Sequence, residues 1–594
     1  MKFSNDYQNT LDTTRKKFQI ETSHLGVSTH PGKHQLQELK SAISRGGKVI
    51  ELGWFGSGKG SIGQGNLTPE LHSREERDEM RELAKINKVR LSTHASPAVG
   101  SGNASTLSGL GQEGFSKENQ GRAKVEIDRA LSFAADVAGG GPVVVHLGEF
   151  PRPVFEAEKR FASKDDFFES SSKERIEGPL TLVDTETGKL KQISRSTKIQ
   201  VTDEEHTDRY GVPLIQEKTI HELIKEKEPT HGIKAGEVVY KEYLKKELEL
   251  AQGEALRASS RTKRLFNEVE QAEELARKAK EGDAQAISIA RNISRREGIL
   301  LDNPEEALKE IAERKREEHD ALKKSAIAHL KQVKNIEKDI QNTETVYGYG
   351  IERAAEGLAE EALKAYKIEK EKKLDEKLWI AVENWAPESY GNHPQELAEV
   401  IEKSRAIMAN ELKNKGMSSG EAAKTAADHI KATFDIGHAN FWRKYFKKDP
   451  SLTNEQNDQK FNKWLLAQVK DLKQRGIIGH VHLNDNFGWN DEHLTPGAGN
   501  APIEEFVKEI SEGGWDGRMI IEPGGQAPEH IHSAVTDTWK LLNTPIYKID
   551  GAPNSWTEIE TSYFNQVGNP TQHIVGEYVP FRDWSSWSSE IPLE

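Results

Sequence analysis

Histidines and carboxylates recur in this chain directly behind short apolar runs, where a β-strand would end. They are His94 in Leu-Ser-Thr-His-Ala, His146 in Val-Val-Val-His-Leu-Gly, Glu383 in Ala-Val-Glu-Asn-Trp, Asp435 and His438 in Phe-Asp-Ile-Gly-His, His482 in His-Val-His-Leu-Asn-Asp, Asp491 and His493 in Asn-Asp-Glu-His, and Glu522 in Ile-Ile-Glu-Pro-Gly-Gly. One histidine ending an apolar strand is more often a satisfied structural residue than a ligand; the repetition changes that balance. Buried carboxylates gathered at one place repel each other unless a cation balances them. The chain has no cysteine, so thiolate nucleophiles and zinc-thiolate sites drop out, leaving His, Asp and Glu as ligands for a divalent metal.

The elements that must position these groups follow from the same runs. Eight stretches rich in β-branched residues, Leu25–Thr29, Lys48–Trp54, Val89–Ala95, Pro142–Gly148, Trp379–Trp385, Ala432–Ala439, Gly479–Asp485 and Arg518–Gly524, alternate with helical stretches. That alternation predicts a parallel sheet with crossover helices, and eight units suit a closed (β/α)8 TIM barrel of the α/β class. Such barrels assemble active sites at the carboxyl ends of their strands, where the residues above fall.

Between the fourth and fifth runs lie about 230 residues where a short connection would suffice. The expected organisation is the first half of a barrel over 1–149, an inserted, mostly helical module over 150–375, the second half of the barrel over 376–543, and a wrapping segment over 544–594 that carries Trp556, Trp584 and Trp587. Within the insertion, Leu180–Asp184 and Lys191–Val201 around Thr187-Gly188 read as a small hairpin. Asn303, Pro304 and Glu306 mark a helix start. Leu322, Ala326, Leu330, Val333, Ile336 and Ile340 then form one apolar stripe on a charged helix, suited to packing on itself, a protein partner or a second copy.

The formal charge of −13 argues against coating nucleic acid through a generally basic surface. A local patch is another matter: Phe441-Trp442-Arg443-Lys444-Tyr445 follows His438. There Trp442 could stack a base while Arg443 and Lys444 meet phosphates, or the same residues could be an ordinary packed helix. The amino terminus has no apolar signal region and no stretch is long enough to span a bilayer, so no membrane association and a cytoplasmic location are expected. Gly53 and Gly58-Lys59 echo a phosphate-binding loop, but residue 60 is Gly where Ser or Thr is needed. The loop Phe55–Gly65 instead suits a substrate contact at the barrel mouth.

The stretch His482-Leu-Asn-Asp485, Asp491-Glu-His493 and Pro496-Gly-Ala-Gly499 resembles the xylose isomerase-like TIM-barrel superfamily, which includes sugar isomerases and epimerases and the endonuclease IV family. The resemblance spans Leu25–Leu147 and Trp379–Pro523. The isomerase branch implies one metal held by Glu383, Asp435, His482 and Glu522. The endonuclease IV pattern implies three zinc ions: His94, His146 and Glu383 for one; Glu383, Asp435, His482 and Glu522 for the second; His438, Asp491 and His493 for the third. The chain departs from that pattern after His94, where Ala-Ser-Pro-Ala-Val replaces the Tyr-Leu pair that wedges into abasic DNA.

The expected function is therefore a metal-dependent phosphoester hydrolase, zinc being the first candidate ion and manganese or magnesium the others. Glu383 and Glu522 are the catalytic carboxylates, and the substrate is a nucleic acid or nucleotide-like phosphodiester. The alternative is a divalent-metal-dependent sugar or sugar phosphate isomerase or epimerase, in which the same two glutamates exchange a proton with the substrate. A scaffold without activity would not need so many costly polar groups at one barrel mouth.

Overall fold

The computed structural model describes residues 20, 23–56, 68–96, 107–111, 113–146, 168, 178–299, 302–522, 524 and 528–542. The wrapping segment 544–594, most of the Phe55–Gly65 loop, and Pro97 and Ala98 lie outside the described residues. The chain divides into two units: residues 1–178, 187–190 and 346–594 form one, and 179–186 with 191–345 the other.

The first unit is a barrel. Strands β1 (Leu25–Ser28), β2 (Val49–Gly53), β3 (Arg90–His94), β4 (Gly141–His146), β5 (Leu378–Glu383), β6 (Ile430–Asp435), β7 (Ile478–His482) and β8 (Arg518–Ile521) close in sequential order, with β8 returning to β1. All eight are parallel to their neighbours. Strands covered on both faces read as continuous apolar runs, and Val49, Ile50 and Leu52, Val143 and Val144, and Ile380, Ala381 and Val382 are all fully buried. The sixth run differs from its expected span: the strand stops at Asp435, because Asp435 accepts a hydrogen bond from the backbone N–H of His438 and starts the short helix Ile436–Asn440.

The crossover helices pack outside through one apolar face each. Leu36, Leu39 and Ala42 of Gln35–Ser44, and Met80 and Ala84 of Arg74–Asn87, meet Ile50, Leu52, Trp54 and Leu91, with Phe133 edge-on to Trp54 at 4.4 Å. Helix Val346–Lys372 belongs with the barrel, a correction to the expected module boundary at 375. Its contacts explain why: the Arg353 carbonyl accepts from Gln120 Nε2 at 2.9 Å, Lys364 Nζ meets Asp128 at 2.8 Å, and the Tyr347 hydroxyl donates to Glu399 at 2.6 Å. It is the helix of the β4-to-β5 crossover.

The second unit mixes strands and long helices. Thr343–Thr345, Pro179–Asp184 and Leu190–Ser194 make a three-stranded sheet, and Lys198–Thr207 pairs antiparallel with Pro213–Thr219. Ala235–Lys280, 46 residues long, runs with Pro304–Asn342 as a helical pair joined through Ala284–Arg296. Asn303 caps the later helix, its side chain accepting from the Glu305 N–H, with Pro304 in the first turn. Of the expected stripe, Ala326 and Ile336 are buried and Val333 and Ile340 pack partly against Leu244 and Ala251, whereas Leu330 is half exposed. Among the described residues no helix is long and apolar enough to cross a membrane.

Candidate metal centre

Strand register brings the candidate ligands to one rim. Glu383 lies directly across from His146, Asp435 from His482, and His94 from Gly53. Because these residues end neighbouring parallel strands in register, their side chains meet at the carboxyl end of the barrel, the face on which barrel enzymes build their sites.

All nine expected ligands gather there, in three donor groups: His94, His146 and Glu383; Glu383, Asp435, His482 and Glu522; and His438, Asp491 and His493. Glu383 serves two of them with different oxygens. Its Oε2 lies 3.3 Å from His94 Nε2 and 3.1 Å from His146 Nε2, while its Oε1 lies 3.1 Å from His482 Nδ1. His482 Nδ1 is also 3.4 Å from Glu522 and 3.9 Å from Asp435. In the third group His438 Nε2 is 3.5 Å and His493 Nε2 2.9 Å from Asp491.

These separations suit a cation. Ligand atoms ~2.0–2.1 Å from a tetrahedral zinc stand roughly 3.3 Å from one another. The histidine tautomers are also set. Nδ1 of His94 donates to the Ala95 carbonyl at 2.8 Å, Nδ1 of His438 to the Asn384 carbonyl at 2.9 Å, and Nδ1 of His493 to the Glu522 carbonyl at 3.0 Å. In each, Nε2 faces the donor group, the arrangement that metal-ligating histidines use.

The electrostatics point the same way. Glu383, Asp435 and Glu522 share one buried place with the His482 imidazole, and His438 Nδ1 stands 3.4 Å from Glu383 and 3.5 Å from Asp435. Burial, and then the charges of Glu383 and Glu522 against the pull of His438 and His482, raises the Asp435 carboxyl to about 6. Burial also raises Glu383, yet His482 and His146 overcome it and hold this carboxyl well below the usual range. His482 and His438 are driven well above theirs, because surrounding carboxylates outweigh burial. His493 rises to about 9 for the same reason, with Asp491 first among its neighbours. Protons thus balance these carboxylates where ions can replace them.

Local structure explains the spacings. Asp435 caps Ile436–Asn440, so the three-residue step turns His438 back into the site. Asn384 ties β5 to β6, donating to the Asp435 carbonyl and accepting the Asp435 N–H, both at 2.9 Å. The Asp485 carboxylate accepts the N–H groups of Asn486, Gly497, Gly499 and Ala501 at 2.8–3.0 Å and so pins the loop that delivers Asp491 and His493. A Cβ at Gly499 would stand 2.3 Å from the Asp485 carboxylate, so only glycine fits. His493 itself takes φ +46°, the left-handed region that costs a non-glycine residue of order 1–3 kcal/mol, and its loop holds it there.

Two groups escaped sequence reasoning. Glu51, in the middle of β2 and 1% exposed, sets Oε1 3.1 Å from His482 Nε2 while Ser92 Oγ donates to its Oε2 at 2.9 Å. It stands behind the candidate ligand His482, beside the ring nitrogen opposite the one that faces Glu383. No motif flags it, because it sits mid-strand among apolar residues. Asn484 Nδ2 donates to Asp435 at 2.6 Å and Glu522 at 3.3 Å, and its place inside the His482-Leu-Asn-Asp485 motif was a usable signal.

The aromatic and basic cluster turns inward. Trp442 is buried beside Phe168, His393 and Trp464. Arg443 is held by Asp458 at 3.0 Å, Asn462 at 2.6 Å and the Asn500 carbonyl at 2.9 Å, over the Phe461 ring. Lys444 pairs with Glu388 at 2.5 Å. These three residues therefore do packing work, and their expected contact with substrate is replaced by internal partners.

Comparison with known proteins adds a partial family match. A stretch of 91 residues, 15% of the chain, is 38% identical to the uncharacterized protein MJ1311 of Methanocaldococcus jannaschii, and that match takes in 24% of the relative's length. Solved structures of a D-tagatose 3-epimerase-like protein (14% identity, 87% of this chain and 96% of that one, TM-score 0.36) and of D-psicose 3-epimerase from Clostridium cellulolyticum H10 (9% identity, 86% and 89%, TM-score 0.33) are similar too weakly to carry a functional argument. Residues 249–538 match the family described as xylose isomerase-like TIM barrel, a span that holds seven of the nine candidate ligands, all but His94 and His146. With its closed eight-stranded parallel barrel, the chain is similar to the xylose isomerase-like TIM-barrel family over that span.

Proposed function

We propose that the protein is a divalent-metal-dependent enzyme with a multinuclear centre that hydrolyses a phosphoester. One observation carries the reading: the two oxygens of the buried Glu383 carboxylate are divided between two histidine-bearing donor groups. A single-ion enzyme needs only Glu383, Asp435, His482 and Glu522; the remaining five donors have a use when further ions are held beside that one. His94, His146 and Glu383 would hold one ion, the four-residue group a second, and His438, Asp491 and His493 a third. Ions held there supply Lewis acidity and neutralise the charge of a phosphoryl group. The chain's own part is to orient. Glu383 sets the spacing of two donor groups, and Asn484 holds Asp435 and Glu522 in place. Trp385 lies 4.5 Å from the His438 ring and 5.3 Å from the His146 ring, forming an apolar wall between donors. Asp491 and His493, the donors with most solvent access, mark the side from which substrate enters.

A second reading, epimerisation or isomerisation of a sugar, is favoured by the family description and by the four-residue group, which is sufficient for it. There Glu383 and Glu522 would exchange a proton with carbons flanking a carbonyl. The experiment that separates the two combines elemental analysis after dialysis with assays on abasic duplex, intact single strand, a generic phosphodiester and a panel of ketoses, each with zinc, manganese and magnesium. The hydrolase reading expects more than one ion per chain and phosphoester cleavage. One ion per chain with ketose interconversion and no cleavage replaces it with the second reading.

A further inference from the structure

A second donor cluster lies in the barrel unit and shares no residue with the centre described above: His34, His72 and Glu76. The first two βα units build it. His34 is the residue before helix Gln35–Ser44, His72 closes the turn Pro69–Leu71, and Glu76 sits in the first turn of Arg74–Asn87. His34 Nε2 is 3.2 Å from Glu76 Oε1, His72 Nδ1 is 3.7 Å from Glu76 Oε2, and the two imidazoles stand edge to face at 4.7 Å.

His72 is what a merely structural cluster does not explain. It is 3% exposed, and among the described residues neither of its ring nitrogens has a hydrogen-bond partner. A buried polar atom left without a partner costs about 1–3 kcal/mol. Burial, then His34, push this imidazole down to about 4 against the pull of Glu76, with Arg77 adding to the downward push, so the ring is neutral and carries a lone pair. Glu76 accepts the Ser73 N–H at Oε2, which orients the carboxylate and leaves Oε1 toward His34. Arg77, whose charge also acts on His72, is engaged by Asp136 and the Pro69 and His72 carbonyls.

We propose that His34, His72 and Glu76 form a separate site for a first-row divalent transition metal, zinc by preference, which clips the starts of two neighbouring barrel helices together. Two imidazoles and one carboxylate are a donor set suited to such ions, and the partly exposed His34 side leaves room for water to complete the coordination.

The test uses the full chain and zinc as the probe. Crystals grown with zinc are examined for anomalous scattering at the zinc edge, and bound zinc is counted after dialysis in wild type, Glu76→Gln, His34→Gln and His72→Phe. Glu76→Gln keeps the shape and the hydrogen bond to Ser73 but removes the charge. The expected result is an anomalous peak among the three side chains in wild type, with loss of one zinc per chain, or zinc binding there weakened at least about tenfold, in Glu76→Gln and His34→Gln at unchanged circular dichroism. If His72→Phe does not fold, these two variants decide. No peak among these residues in crystals whose central donors hold zinc, or an equal zinc count in wild type and Glu76→Gln, overturns the proposal. Failure of the multinuclear reading would show separately, as a change at Glu383 with this peak intact.

Discussion

In the helical unit, Arg261 and Glu318 meet at 3.0 Å with 65% and 49% of their side chains exposed; at the barrel mouth, Glu383 and His482 meet at 3.1 Å with 2% and 0% exposed. The separations are nearly equal and the consequences are not. Around Ala235–Lys280 and Pro304–Asn342 charged partners such as Arg264 and Glu268 or Lys309 and Glu305 face water, which screens them, so each pair is worth at most about 1 kcal/mol. Around Glu383 and His482 burial keeps water away, charges act on one another with little screening, and protonation states shift strongly. The same residue types thus make a solvated surface in one unit and a buried, strongly interacting donor cluster in the other, and burial is the difference.

That contrast breaks first at Glu383. Replacing it with Gln keeps the shape but removes the charge that two donor groups share, and should abolish multi-ion binding and lower metal-dependent turnover by at least about a thousandfold. Elemental analysis and steady-state rates read it; a variant that keeps both would show that the divided carboxylate is only structural.

Glu51 sharpens the same point one residue further out. Glu51→Gln leaves every ligand in place but weakens the partner of His482 Nε2, and should reduce metal affinity about 10–100-fold, as measured by competition with a chelator of known affinity. An unchanged affinity would mean that Glu51 serves packing alone.

Burial without a metal role is isolated at Glu361, on helix Val346–Lys372. Its carboxyl is pushed up to about 8 by burial and then by Asp128, against the pull of Lys364. A carboxyl raised in the folded state favours folding below its ordinary 4.5 and loses that contribution as pH climbs to about 8. Stability measured by denaturant unfolding should therefore fall across this window, and Glu361→Gln should flatten the slope and be the more stable form at pH 8 by up to a few kcal/mol. Parallel pH profiles for the two proteins would place the buried negative charge elsewhere.

The smallest effect belongs to the helical unit, where Arg261→Ala should change unfolding free energy by no more than about 0.5 kcal/mol, and less at high salt. A larger loss would mean that the pair is not screened as its exposure implies.

What the sequence determined by itself was the pattern. All eight barrel strands were legible to within a few residues, because strands covered on both faces must be continuously apolar and their polar ends interrupt the run. His94, His146, Glu383, Asp435, His482 and Glu522 were legible because polar residues ending such strands stand out against that background, whereas His438, Asp491 and His493 lie on the segments that follow β6 and β7. Burial and register were decided only by the tertiary structure. Glu51 is polar in mid-strand, and nothing nearby in the chain reveals that β7 places His482 against it. Trp442 and Arg443 have the composition of a binding surface, yet Phe168 and Asp458, distant in sequence, turn them into core. His34 and His72 look like isolated loop histidines 38 positions apart until the first two βα units bring their rings together at 4.7 Å. Periodicity reports which face of an element is apolar, but which charges share that face's low-dielectric side depends on elements far apart in sequence, and only the closed barrel brings them together.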